Sequence, residues 1–249
     1  ACPELPRRME GRRTMRPAVS YGILCDGDFP GNPDVRDRLL SCDVVVCCDG
    51  AAASFMRFRR PEFVVGDMDS LSEEVRENLS DYVFPVGEQE SNDLSKAFRW
   101  ICSMLRVGRG SRSLPEFSIT VFGATGKRED HTLGNISLLA DFHEYLHERG
   151  VEAALELVTD YGVFVPVPGS CRMQLPAGQE LSIFAFDPDL RISSKGLEYP
   201  TDHVRFDMWW KATLNRVCGT EVELCLSRPA KALVYLPGWS NRRLQISRI

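Results

Sequence analysis

The residues of this chain best placed to do chemistry are acids at the ends of strand-like runs, with cations set between them. Asp49 follows VVVCC (44–48), Asp67 and Asp69 follow FVV (63–65), Asp93 opens a helical pattern, and Asp130 stands just after the turn that ends SITVFGATG. Carboxylates gathered at one edge of a sheet repel one another unless a cation or cationic side chains compensate them. Mg²⁺ suits such a set, because it prefers hard oxygen ligands and is held by carboxylates together with substrate phosphates. In an extended segment Asp67 and Asp69 would project to the same side, as a shared metal requires. Each Asp alone is equally well a turn former or a helix cap. Only the set, with basic residues between its members, points to chemistry.

Those basic residues are Lys96, one helical turn after Asp93 and off the apolar stripe, and the pair Lys127-Arg128 at a glycine-rich strand-to-helix turn. Backbone N–H groups at a helix start attract anions, and Arg grips phosphate oxygens with two donors. Carboxylates for a metal plus fixed cations for phosphate form the equipment of phosphoryl transfer. The residues alone therefore point to a Mg²⁺-dependent enzyme of a phosphorylated substrate.

The stretch GATGKREDHTLGNISLL (123–139) is not a Walker A loop, since its glycines are too close and Arg128, not Ser or Thr, follows Lys127. A second motif, His143-Glu144-Tyr145-Leu146-His147, matches the zinc-peptidase pattern H-E-x-x-H. No third ligand follows at useful spacing, and Gly150 ends the helix soon after, so a chance match on a polar helix edge is the better reading.

These side chains need elements to position them. Strand-like runs at 21–27, 42–51, 62–70 and 117–124 alternate with helical patterns after Pro33, after Ser70, over 92–105 and through Leu133, Ile136, Leu139 and Phe142 to a stop at Gly150. Leu94, Ala97, Phe98, Ile101, Cys102 and Leu105 fall on one helical face, as do Leu133, Ile136, Leu139 and Phe142. This alternation implies a mostly parallel sheet with helices on its faces, a Rossmann-like arrangement whose ligands sit beyond the carboxyl ends of the strands. From about residue 161 the texture changes to short strand-like runs punctuated by Pro and Gly, which predicts an all-β sandwich. The expected organisation is a disordered leader over 1–16 with Met15 a candidate natural start, an α/β domain over 17–160 and a β-sandwich over 161–249.

The 249 residues can bury a full core, and 43% hydrophobic with 26% charged residues is the balance of a globular domain. A formal charge of −5 gives no electrostatic reason to expect nucleic acid, and no run approaches the roughly 18 apolar residues of a membrane span. Nine cysteines without a CxxC pair read as reduced core residues of a cytoplasmic protein.

The ordered blocks CDGAA (48–52), VVGDMDSL (64–71), QESNDLSKAF (89–98) and GATGKREDHTLGNISLL (123–139), with SSKGLEYP (193–200) and WWKATLN (209–215), resemble those of the thiamine pyrophosphokinase family, bacterial members in particular. The resemblance implies transfer of a diphosphate group from ATP to the hydroxyl of thiamine, yielding thiamine diphosphate and AMP, by a homodimer with thiamine near the subunit interface. By position, Asp67, Asp69 and Asp93 correspond to the family's metal and phosphate-site acids, and Lys96, Arg128 and Asp130 complete the catalytic set. Asp49, Gly50, Gly66, Gln89, Thr125 and Gly126 fall on the nucleotide side, and Asn215 with Trp209 or Trp210 on the thiamine side. Two departures stand out: DGAAA (49–53) where the family often has DGGAN, and Leu214 where Ser commonly precedes the Asn. Two alternatives remain at this stage, a related diphosphokinase acting on another alcohol such as a hydroxymethylpterin, and a non-catalytic nucleotide- or vitamin-binding protein, against which the retained acids argue.

Overall fold

A computed structural model describes residues 18–69, 71, 73–88, 90–108, 114, 116–239, 242 and 244–249. The expected leader and Gln89 lie outside the described residues.

The first part of the chain alternates strand and helix: β1 (Val19–Leu24), α1 (Pro33–Leu40), β2 (Val44–Cys48), α2 (Ala51–Phe55), β3 (Phe63–Gly66), α3 (Glu73–Asn78), β4 (Val83–Pro85), α4 (Asp93–Met104), β5 (Phe117–Phe122), α5 (Glu129–Glu148) and β6 (Ala154–Thr159). These six strands pair in parallel in the order β6-β5-β1-β2-β3-β4. Every residue of β5 is buried, as expected of a central strand covered on both faces.

The chain continues as β7 (Gly162–Pro166), β8 (Cys171–Gln174), β9 (Glu180–Ala185), β10 (Ile192–Lys195), β11 (Asn215–Arg216), β12 (Glu221–Leu226), β13 (Ala232–Pro237) and β14 (Gln245–Arg248). The texture change near residue 161 falls at a tight turn that folds β7 back antiparallel on β6. The sheet does not break there. It runs on through β7, β13, β9 and β11 to give ten strands, while β10, β12, β8 and β14 form a separate antiparallel sheet. The architecture is mixed α/β, with a large sheet that is parallel in one half plus a smaller antiparallel sheet.

Alternating strand residues send side chains to opposite faces. On one face Leu24, Val45, Cys47 and Val64 pack with Val35 and Leu39 of α1 and Phe55 of α2, and the same core continues into the smaller sheet through Met173, Val222 and Leu224. On the other, Ile23, Val46 and Val121 pack against α4 and α5. Those two helices are joined by a ring stack, Phe98 on Phe142, with centroids 4.0 Å apart and planes within 6°.

The helix starts are set by capping. Asn32 caps α1 ahead of Pro33, and the Asn92 side chain accepts from the Ser95 N–H at 3.0 Å to start α4. At the far end of α5, Gly150 takes a left-handed φ of 66° while its N–H and that of Val151 return to the carbonyls of His147 and Leu146. Leu133 is exposed, unlike the rest of its expected stripe: the buried line of α5 runs through Asn135, Leu139, Phe142 and Leu146. Among the described residues no helix is long and apolar enough to cross a membrane.

Candidate active site

A cleft of about 390 Å³ opens beyond the carboxyl ends of β1, β2, β3 and β5. Its walls come from four loops. The β1 loop brings Cys25, Asp26 and Gly27; β2 ends in Cys48 and Gly50; Asp67 follows β3; and Ala124 with Gly126, Lys127 and Arg128 follows β5. Asn92, Asp93 and Lys96 at the start of α4 complete it, with His131 and Asn135 from α5. In an open parallel sheet this is where a ligand binds.

Lys96 is the centre of the polar wall. It is only 4% exposed, yet its ammonium meets Asp93 Oδ1 at 3.2 Å and Asp67 Oδ2 at 3.7 Å. Burial alone would pull its pKa down, but the hydrogen bond to Asp93 and the charges of Asp93, Asp67 and Glu88 together raise it. Lys96 therefore stays charged. The sequence puts it off the apolar stripe and close to Asp93; its burial and its reach to Asp67 come from the packing of α4 across the sheet.

Asp67 and Asp69 do not sit in extended backbone. Met68 between them is buried and left-handed, with φ of 70°, and the Asp69 N–H turns back to Asp67 Oδ1 at 3.2 Å. The two acids thus occupy a turn, Asp67 facing the cleft and Asp69 exposed beside it. Among the described residues no group of three or more acids, His or Cys is close enough to hold a metal by itself. Asp67 and Asp93, converging on one ammonium, fit Mg²⁺ nonetheless, since that ion is commonly bound by one or two carboxylates plus substrate phosphates and water.

Asp49 is buried under the cleft, its Cβ against Gly66: a side chain on residue 66 would meet it at 2.8 Å. Gly66 thus leaves no room for a side chain. Gly126 is fixed similarly, with φ of 81° and the Asp28 carboxylate filling the space that a Cβ would need. The β1 and β5 loops are laced together here, Gly27 N–H donating to the Gly123 carbonyl at 2.7 Å and Asp28 N–H to the Thr125 carbonyl at 2.8 Å.

Arg128 and Asp130 form a two-donor ion pair at the surface, Nε to Oδ1 at 3.0 Å and Nη2 to Oδ2 at 2.5 Å. The guanidinium, helped by the His131 N–H, holds Asp130 down at about 2. Arg128 faces the cleft and Asp130 does not line it. Lys127, left-handed at φ of 56°, reaches across the mouth to Asp26 Oδ1 at 2.8 Å. Asp26 escaped the sequence reading although CDGD ends the first strand as the other acids end theirs. Asn92 and Asn135 escaped it too, for polar side chains on helices carry no periodic signal.

Asn215 and Trp210 lie apart from this cleft. Asn215 is buried, with Oδ1 accepting from the Tyr199 N–H at 3.1 Å and Nδ2 donating to the Tyr199 carbonyl at 2.7 Å. Its amide is committed to holding the loop around Tyr199. Leu214 beside it is left-handed and exposed. Trp210 is exposed, and Trp209 stands edge-on to Phe186 at 5.9 Å. The H-E-x-x-H residues have other uses: Glu144 pairs with Lys231 at 2.8 Å, and His147 Nδ1 lies 3.2 Å from Arg248.

Fold and cleft together define an α/β protein with a cleft at the strand ends lined by both carboxylates and cationic side chains. Residues 35–149 match the family model described as thiamin pyrophosphokinase, catalytic domain, and residues 162–235 match that of thiamin pyrophosphokinase, substrate-binding domain. The chain belongs to the thiamin pyrophosphokinase family. A curated relative, thiamine pyrophosphokinase 1 of Oryza sativa subsp. japonica, is 37% identical over 91 residues, which are 35% of this chain and 33% of the relative, so the match spans about a third of that protein. Solved structures share the fold. The thiamin pyrophosphokinase of Candida albicans aligns with a TM-score of 0.70 at 16% identity, covering 88% of this chain and 89% of the other. That of Bacillus subtilis gives 0.65 at 18%, covering 88% and 98%.

Proposed function

We propose that this chain transfers a diphosphate group from Mg·ATP to the hydroxyl of thiamine, yielding thiamine diphosphate and AMP. The observation that carries the reading is the convergence of Asp67 and Asp93 on the buried, charged Lys96, within the stretch matched by the family's catalytic domain. Mg²⁺, when bound, supplies charge neutralisation and alignment of phosphate oxygens, and Asp67 and Asp93, with Asp69 adjacent, are the residues that would hold it.

The thiamine hydroxyl attacks the β-phosphorus in line, and the bond from that phosphorus to the α-phosphate oxygen breaks to release AMP. Lys96 and Arg128 neutralise charge that builds on the phosphate oxygens. The hydroxyl proton goes to Asp93. Asp130, bound to Arg128 by two hydrogen bonds, aims the guanidinium. Asp49, Gly50, Gly66, Thr125 and Gly126 shape the nucleotide side, joined by Gln89.

The rest of the reading follows from the second half of the chain. We take 17–160 as a Rossmann-like catalytic unit and 161–249 as a β-sandwich that binds thiamine, the large sheet running through both. The exposed apolar side chains Met208, Trp209, Trp210 and Leu214 support a homodimer in which this surface meets the partner with thiamine close by. The eight described cysteines, all free thiols, favour the cytoplasm. The test is an acceptor panel with Mg·ATP: thiamine should yield AMP and a hydroxymethylpterin should not, and the reverse preference overturns the substrate assignment.

A further inference from the structure

Asn92, next to Asp93 in the chain, and Asn135 link the start of α4 to the β5 loop. Asn135, on the second turn of α5, is buried, and its amide is used at both ends: Nδ2 donates to the Ala124 carbonyl at 2.9 Å, and Oδ1 accepts from Asn92 Nδ2 at 3.0 Å. Asn92 is likewise used at both ends, its Oδ1 accepting from the Ser95 N–H at 3.0 Å as the cap of α4. One directed line of hydrogen bonds thus runs from the first turn of α4, through Asn92 and Asn135, to the backbone of the β5 loop. Asp93 and Lys96 stand on the first turn at one end; Gly126, Lys127 and Arg128 follow Ala124 at the other.

We propose that Asn92 and Asn135 are positioning residues that fix the spacing between the two phosphate-gripping walls, the Asp93–Lys96 turn and the Gly126–Arg128 turn. The inference rests on the diphosphate-transfer reading for what the walls grip, but the coupling between them is a property of the cleft itself. The charged side chains at the mouth do not make this link: Lys127 pairs with Asp26 of the β1 loop and Arg128 with Asp130 in its own turn, while the Phe98–Phe142 stack joins the two helices in the core. The Asn135 amide is held on both sides inside the protein, so it can transmit a fixed distance. Asn92 also permits a clean separation of roles, because Ser is an equally good helix cap but is too short to reach Asn135.

The experiment uses the full chain and the non-cleavable analogue adenosine 5′-(α,β-methylene)triphosphate with Mg²⁺. Affinity is measured by calorimetry for the wild type, Asn92→Ser, Asn135→Ser and the double variant, with thermal midpoints on the same samples. Each single variant is expected to weaken binding about tenfold, Asn92→Ser with its midpoint nearly unchanged, and the double variant to lose no more than the worse single. Losses that multiply in the double variant, affinity unchanged in both singles, or a loss in Asn92→Ser that comes only with an early melt each overturn the proposal. A wild type that binds the analogue yet makes no AMP from ATP and thiamine refutes the diphosphate-transfer reading and leaves this test standing.

Discussion

Lys96 on α4 stands 3.7 Å from Asp67 beyond β3, a helix cation and a strand-end acid brought together across the floor of the cleft. The sequence separates them by a turn, a short helix and another strand. Their meeting compensates the buried ammonium and presents it to any polyanion that enters.

Replacing Lys96 by Met should lower kcat/KM for Mg·ATP by about a hundredfold or more, in the range seen when one preorganised charge donor is removed. Asp67 and Asp93 would then face each other without compensation, so Lys96→Met should also bind nucleotide more weakly. Steady-state kinetics check both. Because the folded pKa of Lys96 lies above its ordinary value, the stabilisation it supplies is fully present below that ordinary value and is lost as pH rises through the higher folded one. No alkaline loss of activity assignable to Lys96 is expected between about pH 7 and 9, well below the ordinary lysine range.

Asp130 gives a second test. Its carboxyl is held at about 2, below its unfolded value, so what it contributes to folding is present above the unfolded pKa and disappears as pH falls through about 2. It does not titrate in the working range. The acid limb of the pH–kcat/KM profile should therefore keep its position in Asp130→Asn, although the rate falls as Arg128 loses its guide. A limb that vanishes in this variant would make Asp130 the proton acceptor.

Gly126→Ala should damage the β5 loop, because the new methyl would run into Asp28 and the residue would have to hold a left-handed backbone. The conformational part alone is about 1–2 kcal/mol. A lowered thermal midpoint with at least tenfold weaker nucleotide binding is expected; unchanged binding would remove this turn from the phosphate site.

Phe98→Ala removes one ring of the stack between α4 and α5 from a site that is nearly fully buried. A loss of about 3–5 kcal/mol in unfolding free energy is expected from denaturant titration. Phe98 is not among the residues that line the cleft, so the folded fraction should retain nucleotide affinity.

Much of the catalytic half was legible because its signals are local. β-branched runs ending in Asp, a helical stripe and a Gly-rich turn each read directly, and Asp67, Asp93, Lys96, Gly126 and Arg128 all reach the cleft. The β7 turn at residue 161 read as a change of texture, but that β7 adds to the same sheet as β6 depends on pairing between distant strands, which periodicity does not encode. The Asp67–Asp69 pair misled for a related reason: alternation holds only while the backbone is extended, and Met68 turns it. Asn92, Asn135 and Asp26 act through partners far along the chain. The commitment of Asn215 to the Tyr199 backbone was not legible either, since it too joins residues distant in the chain.

The most direct measurement follows the fate of the β-phosphate. The protein is incubated with thiamine, Mg²⁺ and ATP labelled at the β-phosphorus, and products are separated. The expected result is label in thiamine diphosphate with one AMP formed per thiamine consumed; label retained in ADP, with orthophosphate or a thiamine monophosphate as the other product, would contradict diphosphate transfer.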